Sequence, residues 1–360
     1  MPGHQQTGPP PGSDDAYTET EIALAGRNRG MPLEMLRHDI TPVGMHYMLT
    51  HFDVPDLDPA RWRLKVDGLV ERPLSLSLDD LRGRGSQTLP VTLECAGNGR
   101  TKLSPRPRNP PWGLEAISTA EWTGVPLQDV IGAAGVLPEG TELVFSGADE
   151  GTQGGMRHHY QRSLTRDEAT RPEVLLVWAM NGRPLEPQHG APLRLIVPGW
   201  YGMASVKWLT RVEAVAEPFQ GYQQAHSYNI RQTPDEPGKP VTRIRVRALM
   251  IPPGRPDFPS LERIADARPT LIRGRAWSGE APVTRVEVAV DGVWSAALLE
   301  DPVGEFAWRA WSFVWQASPG PHRLACRATD AAGRSQPLEQ EWNVGGYCNN
   351  MVQTVELAVE

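Results

Sequence analysis

The sequence predicts a mixed α+β unit followed by an all-β sandwich, and three observations carry that division. The chain has 360 residues, long for one ordinary domain and sufficient for two sizeable cores. Its 35 glycines and 35 prolines point to many turns, short strands and few long helices. The segment QTPDEPGKP at 232–240 combines proline, glycine and charge without hydrophobic periodicity, which is the composition of a linker.

Taken in order, the first fifteen or so residues are proline, glycine and polar, too poor in apolar side chains to offset the entropy of ordering, and read as a disordered tail. From Trp62 the run RLKVDGLV alternates and meets a turn, LSLDDL has the form of a helix start, and LPVTLEC reads as a buried strand that opens into a glycine-rich turn from Ala96 to Gly99. PLQDVIGAAG is a short helix stopped by glycine. ELVFSGAD is a strand ending in an acidic turn, and APLRLIVPG a strand ending at Pro198-Gly199. Beyond the linker, TRVEVAVDG with its Asp291-Gly292 turn, WRAWSFVW and HRLACRATDAAG are alternating strands at short intervals, as in a β-sandwich.

A formal charge of -7 argues against a general nucleic-acid binder, so an anionic ligand has to meet a local basic pocket. No export pattern opens the sequence and no apolar run reaches membrane-spanning length, which makes the cytoplasm the expected location. Cys95, Cys326 and Cys348 are too few and too scattered for a disulfide framework; a bridge between Cys326 and Cys348 stays open, against the expectation for a reducing compartment.

A lone cysteine is ordinarily a small buried hydrophobe. In VTLECAGNGR, however, a strand delivers Cys95 to a loop with two glycines, where backbone can approach a large ligand and Arg100 favours the thiolate. No CxxC pair, HExxH or His-Cys cluster accompanies it, so a metal bound here must bring most of its own ligands. The neighbouring His158 and His159 point to opposite faces of a strand and read as surface or rim residues.

At LECAGNGR, AISTAEWTGVPLQDVI, EVLLVWAMNGRPLEPQHGAPLRLIVPGWYGMASVKWL and WNVGGYCNN, the sequence resembles the sulfite oxidase family, over a span from about Asp39 to the C-terminus. The resemblance implies an α+β molybdopterin-binding domain over residues 38–233, an immunoglobulin-like dimerisation domain over 236–360, and residues 1–37 as tail and N-terminal extension. It implies a molybdenum ion held by the dithiolene of a mononucleotide-free pyranopterin, with Cys95 as the one protein sulfur. His51, Asp149, His189, Arg194, Ser205, Val206 and Lys207 fall on the positions that hold the pterin and its phosphate. A guanidinium and an ammonium at Arg194 and Lys207 suit a phosphate, although His189 alone would pass for a turn histidine and Lys207 for a solvated strand residue. Tyr228 falls on the active-site tyrosine and Trp112 on a pocket-lining tryptophan beside the stiff PRPRNPP loop.

The implied reaction is oxygen-atom transfer, first of all sulfite to sulfate, in a homodimer without haem that passes electrons to a separate cytochrome or to oxygen. Tyr228, Arg100 and Trp112 are the expected catalytic-pocket residues. The sequence departs from the family at the substrate, because Leu49 and Gly345 stand where arginines are expected and Arg100 alone matches. Losing two fixed charges weakens binding of a dianion, so reduction of an S-oxide or N-oxide is the second reading. Arg157, His159 and Arg231 are candidate replacement charges on nearby loops. A non-catalytic binding protein, the third reading, leaves Cys95, His189, Arg194 and Lys207 together unexplained.

Overall fold

The structure, a computed structural model, describes residues 17–360, so the expected disordered tail lies outside the described residues. Glu19–Arg27 forms a helix within the expected N-terminal extension. Its signal is a capping box in which Thr18 and Glu21 satisfy each other's backbone N–H groups. Glu21 is buried and paired with Arg106, which ties this helix to the proline-rich loop near Trp112.

The first unit is built on two sheets with short helices between them. One sheet runs in the order Leu74–Leu76, Leu64–Gly68, Leu209–Val215, Glu142–Gln153, Met156–Thr165. The other runs Gln87–Glu94, Ile117–Pro126, Leu175–Met180, Arg183–Pro184, with Arg194–Ile196 also paired to Leu175–Met180. Ser77 and Asp80 cap the helix Leu78–Arg82, and Gly135, at φ +69°, ends the helix Leu127–Ala134. The acidic turn expected at Asp149 is instead an irregularity inside a continuous strand, Glu142–Gln153, whose register shifts between Ser146 and Glu150. A bulge re-aims side chains without ending the strand. Here it accommodates the Lys207 carbonyl, which would stand 2.8 Å from a Cβ at Gly147.

The chain beyond the linker is a sandwich of a four-stranded and a six-stranded sheet. Its core packs Ile272, Val286, Val288, Trp311, Trp315, Leu324 and Cys326. Asp291 and Gly292, both at positive φ, make the tight hairpin that the dipeptide signals. The linker folds back on itself, Asn229–Ile230 pairing with Lys239–Pro240. The strand Arg309–Gln316 buries Trp311 and Trp315 on one side, while Val314 remains 58% exposed on the other.

The two units share a polar seam. Glu94 accepts from Arg247 at 2.7 Å and from the Trp277 indole at 2.8 Å, with both ends of the ion pair buried. Arg275 reaches Asp39 at 2.6 Å, and Trp308 donates to the Asp39 carbonyl at 2.8 Å. Asn349 donates to the Gly99 carbonyl at 2.7 Å and the Cys348 N–H to the Ala96 carbonyl at 2.8 Å. The second unit therefore buttresses the loop that carries Cys95. No helix among the described residues is long and apolar enough to cross a membrane.

Candidate active site

Strand Gln87–Glu94 ends at the seam, so Cys95 emerges into a turn fixed from both sides. Its N–H donates to the Ala116 carbonyl at 2.9 Å, and its carbonyl accepts from Asn98 at 2.9 Å. Gly99 sits at φ +86°, a conformation open to glycine at little cost. At Gly97 an added Cβ would lie 2.4–2.6 Å from the Arg100 guanidinium, so a side chain here would have to displace it. Burial pushes the Cys95 thiol up, against the opposing pull of the Arg100 charge, the Gly97 N–H and the Trp112 indole. A cation is needed to hold the thiolate here. Among the described residues no group of three His, Cys, Asp or Glu could hold a metal, so a metal at Cys95 must arrive with other ligands. All three cysteines are free, and burial pushes the Cys348 thiol up to about 12.

Cys95 opens on a cleft whose walls include His51, Asp149, His189, Arg194, Ser205, Lys207 and Tyr228. Seven of the residues singled out from sequence thus converge with Cys95. One end of this cleft is cationic. Arg194 donates to the His189 carbonyl at 2.9 Å and the Ser205 carbonyl at 3.2 Å, leaving its buried Nε without a partner. The Lys207 ammonium donates to the carbonyls of Leu49 and Gln188, at 2.9 and 3.1 Å. Burial, reinforced by the Arg194 charge, brings Lys207 down to about 7, and burial brings Arg194 down to about 10. Burial and the same two cations hold His189 at about 4. Asp149, the acidic residue of the lining, is raised by burial to about 6. Two desolvated cations with an open guanidinium donor fit a phosphate, as a pyranopterin brings. Val206 does not line the cleft; it is buried, and its carbonyl accepts from Leu195 at 2.8 Å, which ties the loop to a strand. His46, missed in the sequence, lines this end with its buried Nε2 unpartnered.

Near Cys95 the Tyr228 hydroxyl and His51 Nε2 are 2.8 Å apart. Burial, with the Lys207 and His158 charges, holds His51 at about 3, so its imidazole is neutral. Trp112 lies outside the cleft lining, its buried indole N–H directed at the Cys95 sulfur. Arg100 is also outside the lining. Its guanidinium donates to the carbonyls of Gly345 at 2.9 Å and Pro110 at 2.7 Å and stands 5.5 Å from the Tyr347 ring. Leu49 does line the cleft, which makes the missing arginine there a real loss of charge.

None of the three candidate replacement charges lines the cleft. Arg157 is exposed and paired with Glu150, His159 is exposed, and Arg231 donates to the Ala225 carbonyl. The sequence reading missed Tyr160 and Arg162. Their signal is the period of two in HHYQR, which puts half-buried His158 and buried Tyr160 and Arg162 on one face of a strand.

Residues 51–223 match the family described as the oxidoreductase molybdopterin binding domain, and residues 241–360 match the Mo-co oxidoreductase dimerisation domain. The chain belongs to the sulfite oxidase family of molybdopterin oxidoreductases. That family is one of molybdenum oxidoreductases, and the second domain of this chain has the immunoglobulin-like fold. Within the family it is similar to a nitrate reductase of Hordeum vulgare, 33% identical over 91% of this chain and 40% of that one. A nitrate reductase of Oryza sativa subsp. japonica is 32% identical over 94% of this chain and 41% of its own. The chain thus spans about 40% of the length of these relatives. The sulfane dehydrogenase SoxCD of Paracoccus pantotrophus superposes over 100% of this chain and 97% of its own, with a TM-score of 0.78 at 24% identity, which shows a shared fold.

Proposed function

We propose that this chain moves an oxygen atom to or from a small oxyanion on a molybdenum pyranopterin, with oxidation of sulfite to sulfate as the first reading. The observation that carries it is the convergence of one thiol with two unpaired desolvated cations in a single cleft. In that reading Cys95 is the protein's sulfur ligand. Arg194, Lys207, His189 and Ser205 hold the phosphate, while His51 and Asp149 shape the remaining wall and the Val206 backbone braces the loop behind it. The cofactor, when bound, supplies two-electron redox chemistry and the site of oxygen exchange. Sulfite oxidation takes its oxygen from water and releases two electrons and two protons, the electrons leaving to a separate cytochrome or oxygen.

The chain's own groups position and exclude. Burial keeps the Tyr228 hydroxyl protonated at working pH, so it presents an O–H rather than a charge. With the His51 hydrogen on Nε2, Tyr228 accepts from His51 and is free to donate to a substrate oxygen; in the other tautomer it donates to His51. Arg100 and Trp112 act behind the sulfur, favouring its thiolate form and bracing the loop.

Reduction of an N-oxide or S-oxide is the second reading, favoured by Leu49 in the cleft lining and by likeness to plant nitrate reductases. Anaerobic addition of sulfite or of nitrate to protein with a measured molybdenum content separates the two. Sulfite bleaching the oxidised cofactor supports the first. Nitrate reoxidising the reduced cofactor while sulfite leaves it unchanged supports the second. We also propose a homodimer through the second domain, following the family that domain matches.

A further inference from the structure

Tyr228 follows directly on a single π-helical turn, Gln223–Ser227. Such a turn is rare and recurs at functional sites. This one is tied down from several sides. The Gln223 amide donates to Gln153 Oε1 at 2.8 Å, and the Asn229 amide donates to the carbonyls of Gln224 and Ala225, both at 3.2 Å. Arg231 donates to the Ala225 carbonyl at 3.1 Å. From strand Met156–Thr165, Arg162 donates to the Gln223 carbonyl, at the start of the turn.

Arg162 differs from the other ties because it is only 2% exposed and its charge meets no carboxylate among the described residues. The titratable groups facing it are the phenols of Tyr160, Tyr228 and Tyr347. Tyr160 donates its own hydrogen to the Met203 carbonyl at 2.7 Å. The Arg162 guanidinium carbon stands 5.7 Å from the Tyr228 ring, within the range of a cation–π contact, and the Tyr347 ring is 5.3 Å from that of Tyr228. A buried cation without a counter-charge is costly to the fold. What this one holds in return is the backbone ahead of Tyr228 and the ring of Tyr228 itself. Arg162 does not line the cleft, so any effect on a substrate has to pass through Tyr228, which does line it and whose hydroxyl is 2.8 Å from His51 Nε2.

We propose that Arg162 is a positioning residue for oxygen transfer: by holding the Gln223 carbonyl and lying against the Tyr228 ring, it fixes where the Tyr228 hydroxyl stands in the cleft wall. This rests on the reading above in which Tyr228 donates to a substrate oxygen. One contact to the backbone ahead of a tyrosine and one to its ring limit both the path of the chain and the swing of the side chain. A misplacement of about 1 Å at a reacting group can cost about a hundred-fold in rate. Lysine keeps the charge without the planar fork that serves carbonyl and ring together, so it is a partial substitute.

The test is a double-mutant cycle on molybdenum-loaded protein, built from Arg162→Met, Arg162→Lys and Tyr228→Phe. For each variant kcat and KM are measured with whichever of sulfite and nitrate wild type turns over, alongside molybdenum content and amide hydrogen exchange across residues 221–228. The expected result is a kcat/KM lower by about ten-fold or more in R162M than in wild type. When both carry Tyr228→Phe the difference should shrink to less than about two-fold, since a residue acting through Tyr228 has nothing left to position. Exchange across 221–228 should quicken by about ten-fold in R162M, with molybdenum content retained, and R162K should fall between R162M and wild type in both readouts. An equal loss of kcat/KM in the two backgrounds, no loss in either, or unchanged exchange overturns the proposal and leaves the oxyanion reading standing. R162K carries the same cycle if R162M does not fold. A metal-replete wild type that turns over neither anion removes the oxyanion reading itself, and this role for Arg162 with it.

Discussion

Lys207 is stored in the protein as a charge that burial opposes. Its ammonium titrates at about 7 instead of 10.5, mainly because burial strips its water. Between those values the unfolded chain holds a proton that the ligand-free fold does not, so fold stability rises with pH across that window. Thermal unfolding of cofactor-free protein should therefore show a higher Tm at pH 9 than at pH 7 from this group. The increment should be missing in Lys207→Met; its persistence in that variant would assign it elsewhere. Phosphate reverses the sign, because it favours the ammonium. Binding of a phosphate-bearing pterin should weaken as pH rises through about 7 in wild type and much less in Lys207→Met, as titrations at pH 6.5 and 8.5 would show. Close packing rather than charge governs Gly97, where a methyl group would collide with a guanidinium that two carbonyls hold in place. Gly97→Ala should displace Arg100 and lower kcat/KM by about ten-fold or more while molybdenum content is largely retained.

The strand and turn around Cys95 show what the sequence makes legible and what it hides. LPVTLEC and its glycines announce a buried strand feeding a loop, because strand patterning and turn chemistry are local properties. The helices at Leu78 and Leu127 are legible for the same reason, through Ser77 and Gly135. Glu94 is silent in the sequence. An acid next to the key thiol passes for an ordinary strand residue until the fold brings Arg247 and Trp277 to it from more than 150 residues away. Arg162 was hidden likewise, since its meaning depends on Tyr228 and Tyr347 from other elements. At Asp149 the sequence suggests an acidic turn where the strand continues, because a bulge and a turn share glycine and acidic residues. Breaking the Glu94 pair leaves an uncompensated buried charge. Glu94→Gln should cost about 3–5 kcal/mol in denaturant unfolding, and a loss below about 1 kcal/mol would mean that the seam does not anchor the loop.

Across the whole molecule, the second domain is part of the site's support. Segment Asn343–Asn350 contributes the Gly345 carbonyl to Arg100, the Cys348 N–H to Ala96 and the Asn349 amide to Gly99. A chain cut after residue 240 should accordingly fail to retain molybdenum. The outer face of the four-stranded sheet carries Leu271, Leu298 and Val314, 47%, 68% and 58% exposed, a patch suited to a second copy. Val314→Asp should shift sedimentation toward the monomer if the dimer forms there. The central claim, that Cys95 closes the coordination of a molybdenum pyranopterin, is tested most directly by X-ray absorption at the molybdenum edge of wild type and Cys95→Ser loaded with the cofactor. One sulfur neighbour fewer in the variant is the predicted result, and an unchanged sulfur count at full molybdenum loading would contradict it.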